Sequence, residues 1–380
     1  MENFTFYNPV KMIYGVGEMG RIGEELAAYS VSKVLLIAGG GSIRSNGVYD
    51  QVTASLASNG IEWLESWGVK PNPSLKKVEE MIGLARREEV QAILAVGGGS
   101  VIDSAKAVAA GAAYSGNVWD YFEAGREVEH ALPLFTVLTL SATGTEMDEF
   151  AVITNEPEAK KWGIWGRGLF PKVSVVDPSV QAGLPWFQTV NGAIDAFSHI
   201  MEQYFSGCHA DTTMSIAESL MKSIIKATDK LQADPNDYAA RADLAWASSL
   251  ALNGIIRTGT GTGDWATHAI EHGISAVNTK VSHGAGLGVI FPAWIEYIGR
   301  DEQEAFTRWS KNVWGCDSLH EAVQAFRNKI KHWGHPTDLN ELGIEKEQIE
   351  SIVASIMQKP AGRIKVLTEE DVRRILALAS

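Results

Sequence analysis

The side chains best suited to do chemistry lie in two apolar stretches of the chain. Asp195 and His199 are four residues apart in the first stretch, GAIDAFSHIMEQYF, so on a helix they share one face, one turn apart. The second stretch, THAIEHGISAVNTKVSHG, repeats that spacing with His268 and His272 and adds His283. One carboxylate and up to three imidazoles are enough to hold a divalent metal. The sequence therefore predicts a metal site around which the chain is organised.

The alternative for any one of these histidines is an ordinary core residue, hydrogen-bonded to the backbone. Two observations favour the metal. Four of the nine histidines fall within or just after these stretches, and Asp195 has apolar neighbours on both sides, where an unpaired charge is costly. A bound cation would remove that cost. Spacing alone leaves open which of the later histidines are ligands, because His268 and His272 form an equally good pair.

Length, composition and charge restrict the classes of function that this chain can have. The 380 residues are enough for two domains, and 45% hydrophobic with 21% charged residues is ordinary for a globular protein. A net charge of −13 argues against nucleic acid or an anionic membrane as a partner. Cys208 and Cys316 form no redox or metal motif, and no signal peptide or membrane-length apolar run is evident, so we expect a cytoplasmic protein.

The order of the predicted elements divides the chain in two. Up to about residue 177, β-rich runs alternate with helical periods, which predicts a parallel sheet containing strands near 33–38, 61–66, 91–96, 134–138, 150–154 and 173–176. Beyond Leu184-Pro185, amphipathic helical stretches follow one another to the end. We therefore expect an α/β nucleotide-binding domain at 1–182 and a helical metal-binding domain at 183–380.

Two glycine-rich loops follow predicted strands. Gly97 to Ser100 opens a helix, where free N–H groups and the helix dipole suit a pyrophosphate, although a tight turn without a ligand is the alternative. The loop departs from the usual dinucleotide fingerprint, because Ile102 stands where its third glycine would fall. In the other loop, Gly39 to Ser42, the nearest acid downstream is Asp50, while Ser42, Arg44 and Ser45 supply hydrogen-bond donors. That composition favours the 2′-phosphate of NADP.

Together these segments resemble the iron-containing alcohol dehydrogenase family, in the branch of butanol dehydrogenases and aldehyde reductases. The resemblance spans nearly the whole chain, through FYNPVKMIYG, VKPNP, GGGSVIDSAKA, TLSATGTEMD, KKWG and the two histidine stretches. It implies a Rossmann-like parallel-sheet domain, a helical domain of the dehydroquinate synthase-like architecture, one divalent metal (Fe²⁺ or Zn²⁺), a nicotinamide cofactor and a homodimer.

The resemblance also implies roles for particular residues. The metal ligands would be Asp195, His199, His268 and His283, with His272 as a catalytic proton relay. The cofactor residues would be Gly40, Gly41 and Ser42 at the adenosine end; Gly97, Gly98, Gly99, Ser100 and Asp103 at the pyrophosphate; and Thr139, Leu140, Thr143 and Lys161 toward the nicotinamide. Family members that prefer NAD are expected to carry an acid where Gly40 stands, so NADP(H) is favoured over NAD(H).

The implied activity is hydride transfer between NAD(P)H and a primary aliphatic alcohol or aldehyde resembling butanol or butanal. Alternatives within the scaffold are a polyol or lactaldehyde-type dehydrogenase, or a dehydroquinate synthase-like lyase. The lyase would need a cluster of basic residues near the metal, whereas 195–205 and 264–290 contain only Lys280. Outside the enzymes, the alternative is a silent nucleotide-binding protein. An alcohol or aldehyde is the expected small-molecule partner.

Overall fold

The chain forms two compact units in a computed structural model that describes residues 1–206, 210–300 and 303–380. One unit, the sheet unit, comprises Asn8–Leu184 with Asn236–Ala245. The other, the helical unit, comprises Met1–Tyr7, Pro185–Pro235 and Trp246–Ser380. Cys208 lies outside the described residues.

The sheet unit is organised by a six-stranded sheet in the order β1-β8-β5-β4-β2-β3. All of its neighbouring strands run parallel. The parallel-sheet fold expected from alternating strands and helices is therefore confirmed. Its strands are β1 (Lys11–Tyr14), β2 (Lys33–Ala38), β3 (Glu62–Ser66), β4 (Ala92–Gly97), β5 (Leu134–Leu138) and β8 (Val173–Val176).

Both faces of this sheet are buried, which explains the uninterrupted apolar runs of its strands. Along β2, Leu35 and Ile37 enter one hydrophobic core, while Val34 and Leu36 enter the core on the opposite face. Helices supply the covering layers. They are α1 (Ile22–Ala28), α2 (Ser42–Ser45), α3 (Val48–Ser58), α4 (Leu75–Arg87), α5 (Gly99–Ala113) and α6 (Trp119–Ala124).

One strand assignment is wrong. Residues 150–154, expected in the parallel sheet, belong to β6 (Phe150–Asn155), which pairs antiparallel with β7 (Lys160–Trp165) in a separate two-stranded sheet. The connection is short, with Ala159 in the left-handed region at φ 49°, so the chain folds back on itself. The run KKWGIW was not recognised as a strand because two lysines and a glycine give it low β-propensity.

Helices dominate the other unit, as expected. They are α7 (Trp186–Tyr204), α8 (Asp211–Ala233), α9 (Tyr238–Leu252, whose first residues belong to the sheet unit), α10 (Ala266–Val277), α11 (His283–Ile298), α12 (Glu304–Trp309), α13 (Leu319–His332), α14 (Ile349–Ile356) and α15 (Glu369–Leu378). After α12 the chain continues through a π-helical turn, Ser310–Trp314. Across the described residues, no helix has both the length and the hydropathy to span a membrane.

A buried ion pair joins α5 to the start of β6. The Lys106 side chain is fully buried, and its Nζ donates to Asp148 Oδ1 at 2.6 Å, to the Asp148 carbonyl at 2.9 Å and to the Phe150 carbonyl at 2.8 Å. The ammonium is thus satisfied by three oxygens. Removing it would leave the Asp148 carboxylate buried without its cation.

We therefore predict that Lys106→Met lowers the free energy of unfolding by about 3 to 5 kcal/mol, the usual cost of an uncompensated buried charge. Urea unfolding followed by circular dichroism measures the loss. Lys76→Met, at an exposed position on α4, is the control and should change stability by less than about 0.5 kcal/mol. Equal stability of the two variants would contradict the structural role of Lys106.

Candidate functional site

Helix α7 carries the first two predicted metal ligands on one buried face. Asp195 and His199 are only 2% and 5% exposed. Their i and i+4 spacing places His199 Nδ1 3.7 Å from Asp195 Oδ1, which is close but beyond hydrogen-bond distance. Helix α7 therefore places the two side chains next to each other, as their spacing in the sequence predicts.

Two more predicted ligands come from α10 and from the first residue of α11. The His268 ring stacks on the His199 ring with centroids 4.7 Å apart, and His283 Nε2 lies 3.5 Å from Asp195 Oδ1. One potential ligand atom each from Asp195, His199 and His268 lie within 4.8 Å of one another. Three helices thus bring all four predicted ligands into one cluster.

The chemistry of this cluster fits a divalent cation. His199 Nδ1 is buried and makes no hydrogen bond to any described residue. Burial, together with the neighbouring His268, lowers the pKa of His199 well below its usual value, so its imidazole is neutral, the form that binds metals. A carboxylate oxygen with imidazole nitrogens is a donor set suited to Fe²⁺ or Zn²⁺.

Glu202 is a further member of the site that sequence reasoning missed. This fully buried carboxylate accepts the N–H of Trp265 at 2.6 Å, the N–H of His268 at 3.0 Å and the hydroxyl of Thr267. His268 Nδ1 lies 2.9 Å from the same carboxylate. Burial raises the pKa of Glu202 to about 7, against these hydrogen bonds, which lower it. Because Nδ1 faces Glu202, His268 turns its Nε2 away from that carboxylate.

Glu271 holds His283 in the same way. Its fully buried carboxylate contacts His283 Nδ1. His268 and His283, two of the predicted ligands, are therefore each contacted at Nδ1 by a glutamate carboxylate. Carboxylates in this position fix the tautomer and ring orientation of a metal-binding histidine. The sequence signal existed, because Glu202 follows His199 by three residues and Glu271 follows His268 by three.

The backbone is strained at Trp265, which is bonded to Glu202. Trp265 has φ 62°, in the left-handed region that non-glycine residues rarely occupy. Its N–H is held by Glu202, and its ring packs against His268 with centroids 5.2 Å apart. Such strain persists only where the surroundings enforce it. Here it gives the histidine cluster an aromatic neighbour.

His272 lies beside the cluster. Its ring centroid is 5.4 Å from that of His283 and 6.4 Å from that of His268, and it is half-buried. A ligand atom of His272 also groups with atoms of Glu271 and His283 within 4.8 Å. The position suits a proton-transfer group at the edge of a metal site.

In the sheet unit, the predicted cofactor loops follow the carboxyl ends of adjacent strands β2, β4 and β5. The Thr139 N–H donates to the Gly97 carbonyl at 3.0 Å. A Cβ added at Gly98 would lie 3.2 Å from Leu140, and one at Gly99 would lie 2.7 Å from Thr143. Close packing between the loops therefore explains why Gly98 and Gly99 are glycines, in addition to any close approach of a ligand.

The other predicted cofactor residues surround the same loops. Asp103, on the first turns of α5, accepts the Thr145 hydroxyl at 2.7 Å and the Val152 N–H at 3.0 Å, so it ties the 139–146 loop to β6. Lys161 is buried on β7, opposite Thr154. Gly40 and the positive-φ Gly41 follow β2, ahead of the exposed Ser42, and Ser100 lies in the first turn of α5.

Two family models together match most of the chain. "Iron-containing alcohol dehydrogenase" matches residues 9–178, and "Fe-containing alcohol dehydrogenase family, C-terminal" matches residues 189–380. The chain belongs to the iron-containing alcohol dehydrogenase family. Like that family, it is an NAD(P)-dependent oxidoreductase that interconverts alcohols and aldehydes with a divalent metal and a nicotinamide cofactor.

Named relatives of this dehydrogenase use either nicotinamide cofactor. An NADH-dependent butanol dehydrogenase A from Clostridium acetobutylicum is 39% identical, with 99% of each chain covered. The NADPH-dependent aldehyde reductase YqhD from Escherichia coli is 34% identical over 94% of this chain and 93% of its own. The crystal structure of NADH-dependent butanol dehydrogenase A from Thermotoga maritima is 49% identical and superposes with TM-score 0.98, covering 100% and 99%.

The contact between Glu202 and His268 leads to a testable prediction. Glu202→Gln should weaken binding of Fe²⁺ or Zn²⁺ about tenfold to a hundredfold, because the amide holds the imidazole less firmly and makes it less basic. Chelator competition on the purified protein measures the dissociation constant. Glu218→Gln, at a buried glutamate bonded to Tyr204 and Arg308, is the matched control and should bind metal normally. Unchanged metal affinity in Glu202→Gln would show that Glu202 does not position the ligand.

Proposed function

We propose that this dehydrogenase interconverts primary aliphatic alcohols and aldehydes of about the size of butanol and butanal, with Fe²⁺ or Zn²⁺ held by Asp195, His199, His268 and His283. The observation that carries the ligand assignment is the cluster of these four side chains, of which His283 is half-buried and the other three are buried, with glutamates in contact with His268 and His283. The relatives named as butanol dehydrogenases and as an aldehyde reductase support the substrate class.

The charge of the site supports an uncharged substrate. Helices α7, α10 and α11 contain neither lysine nor arginine. A phosphorylated or carboxylated substrate would need such cations near the metal. Trp265, packed on His199 and His268, adds an apolar surface. These features favour a linear aliphatic molecule over the anionic substrate of a dehydroquinate synthase-like lyase.

In the proposed reaction, an alcohol and NAD(P)⁺ give an aldehyde, NAD(P)H and a proton. The ion, when bound, supplies Lewis acidity that acidifies an alcohol hydroxyl or polarises an aldehyde carbonyl. Glu202 and Glu271 keep His268 and His283 oriented through their Nδ1 atoms. His272 accepts the proton released from the hydroxyl and passes it to solvent, because it is half-buried beside the cluster.

Steady-state rates test the activity. Anaerobically metal-reconstituted protein should reduce butanal with NADPH and lose that activity on chelation. A panel of linear aldehydes, lactaldehyde, a polyol and a phosphorylated aldehyde separates the alternatives. Higher kcat/KM for lactaldehyde or the polyol would contradict the proposed substrate class, and absence of turnover with any metal would indicate a silent nucleotide-binding protein.

The role of His272 gives a second prediction. His272→Ala should lower kcat about tenfold to a hundredfold and remove a pH-dependent limb from the kcat profile, because a proton relay contributes to proton transfer. Metal content should stay at the wild-type level, and added imidazole should restore part of the rate. Loss of metal in this variant would instead place His272 among the ligands.

We further propose that the enzyme uses NADPH at least as well as NADH. Position 40 is glycine, so no carboxylate there repels a 2′-phosphate, and a Cβ added at Gly40 meets nothing within 4 Å. Ser42 and Arg44 follow on α2 and are exposed. Charge-assisted hydrogen bonds from such groups to a phosphate are worth roughly 1.5 to 3 kcal/mol.

Gly40→Asp should therefore shift preference toward NADH by about tenfold or more, mainly through the KM for NADPH, because the ribose contact is the same in ground and transition states. The open space at position 40 admits the side chain. Gly40→Asn, which is nearly the same size without the charge, is the control. An NADPH to NADH ratio of kcat/KM unchanged in Gly40→Asp would exclude this loop from cofactor selection.

A further inference from the structure

Arg44 forms an ion pair with Glu65 next to the Gly39–Ser42 loop. Arg44 Nη2, on α2, is 3.5 Å from Glu65 Oε2, near the end of β3. The Arg44 guanidinium also lies over the Trp67 ring, 4.1 Å from its centroid, and 5.2 Å from the centroid of Tyr49. Its side chain is nevertheless 59% exposed, so it is open to a ligand.

The sheet places this pair at the adenosine end of the expected cofactor path. Strand β2 lies between β4 and β3, and Glu65 is in register with Leu36 of β2. The Gly68 N–H donates to the Gly39 carbonyl at 3.1 Å, joining the end of β3 to the glycine loop. A cofactor whose pyrophosphate lies over the loop after β4 extends its adenosine ribose outward along this edge. Its 2′ position would then lie beside Arg44.

The Glu65 carboxylate is held by three further donors. Its oxygens accept the Tyr49 hydroxyl at 2.5 Å, Trp63 Nε1 at 3.1 Å and Trp67 Nε1 at 2.7 Å. Partial burial acts to raise the pKa of Glu65, but these hydrogen bonds and the charge of Arg44 together hold it below its usual value. Glu65 is therefore ionised at neutral pH and offsets the charge of Arg44.

We propose that Glu65 is a specificity-determining residue, which limits the preference for NADPH by offsetting the positive charge of Arg44. A 2′-phosphate is attracted to Arg44 and repelled by Glu65, whereas the uncharged 2′-hydroxyl of NADH is nearly indifferent to both. The pair leaves a subsite that accepts either cofactor. This inference rests on the proposed cofactor placement, and it adds a residue outside the glycine loop to cofactor selection.

Two substitutions that should change the cofactor preference in opposite directions test the proposal. With metal-loaded protein, Glu65→Gln should raise the affinity for NADPH relative to NADH about threefold to tenfold, and Arg44→Gln should lower it by a similar factor. Calorimetric titration with each cofactor gives the dissociation constants without turnover, and kcat/KM with butanal provides a second measure. High salt should reduce both shifts, because the interactions are exposed.

Two controls separate charge from structure. Glu62→Gln removes the same charge from an exposed position on the same strand and should leave the cofactor ratio unchanged. Glu65→Asp keeps the charge and should stay near the wild-type ratio. If Glu65→Gln proves unfolded, Arg44→Gln still tests the charge pair, and a wild-type ratio in Arg44→Gln overturns the proposal.

The outcomes also distinguish this inference from the proposed NADPH use. A wild type that uses NADPH well, with a ratio unchanged in Glu65→Gln, contradicts the role of Glu65 and leaves the proposed cofactor use intact. A wild type that strongly prefers NADH, with Glu65→Gln shifted toward NADPH, contradicts the proposed preference and supports the role of Glu65.

Discussion

Buried carboxylates on helices that carry neither lysine nor arginine are the constraint on which the helical unit depends. Asp195, Glu202 and Glu271 are at most 2% exposed, on helices that contain no lysine or arginine. Taking such charges out of water costs several kcal/mol each unless a proton or cation compensates. Histidine N–H groups and backbone amides meet part of that cost, and a divalent ion among the imidazoles would meet the rest. His268, His283 and the strained Trp265 all lie against these carboxylates.

Much of the architecture was predictable, because its signals are periodic and local. Both faces of the parallel sheet are buried, so β2 and β4 read as uninterrupted apolar runs before glycine turns. Each amphipathic stretch beyond Pro185 contains a helix in the part of the chain that the structure describes. The hairpin of β6 and β7 was missed, since pairing partners depend on chain reversal and KKWGIW carries no clear strand pattern.

For the site, spacing placed Asp195 with His199 and His268 with His272, and the fold brings these turns together. Spacing could not choose among the later histidines, because that choice depends on how three helices pack. Glu202 and Glu271 were overlooked for a related reason: a glutamate on a helix is usually solvated. In the sheet unit, the sequence pattern attributes Gly98 and Gly99 to ligand approach, whereas part of their role is close packing against Leu140 and Thr143. The pairing of Arg44 with Glu65 joins residues twenty-one positions apart, which no local pattern reveals.

The most direct test of the account is the metal content of His268→Ala, measured by elemental analysis after anaerobic purification with added Fe²⁺ or Zn²⁺. Wild type and His320→Ala, altered at an exposed histidine on α13, should hold about one ion per chain. His268→Ala should lose most of it while still binding NADPH, since that cofactor is expected on the sheet unit. Full metal occupancy in His268→Ala would contradict the assignment of Asp195, His199, His268 and His283 as the ligands.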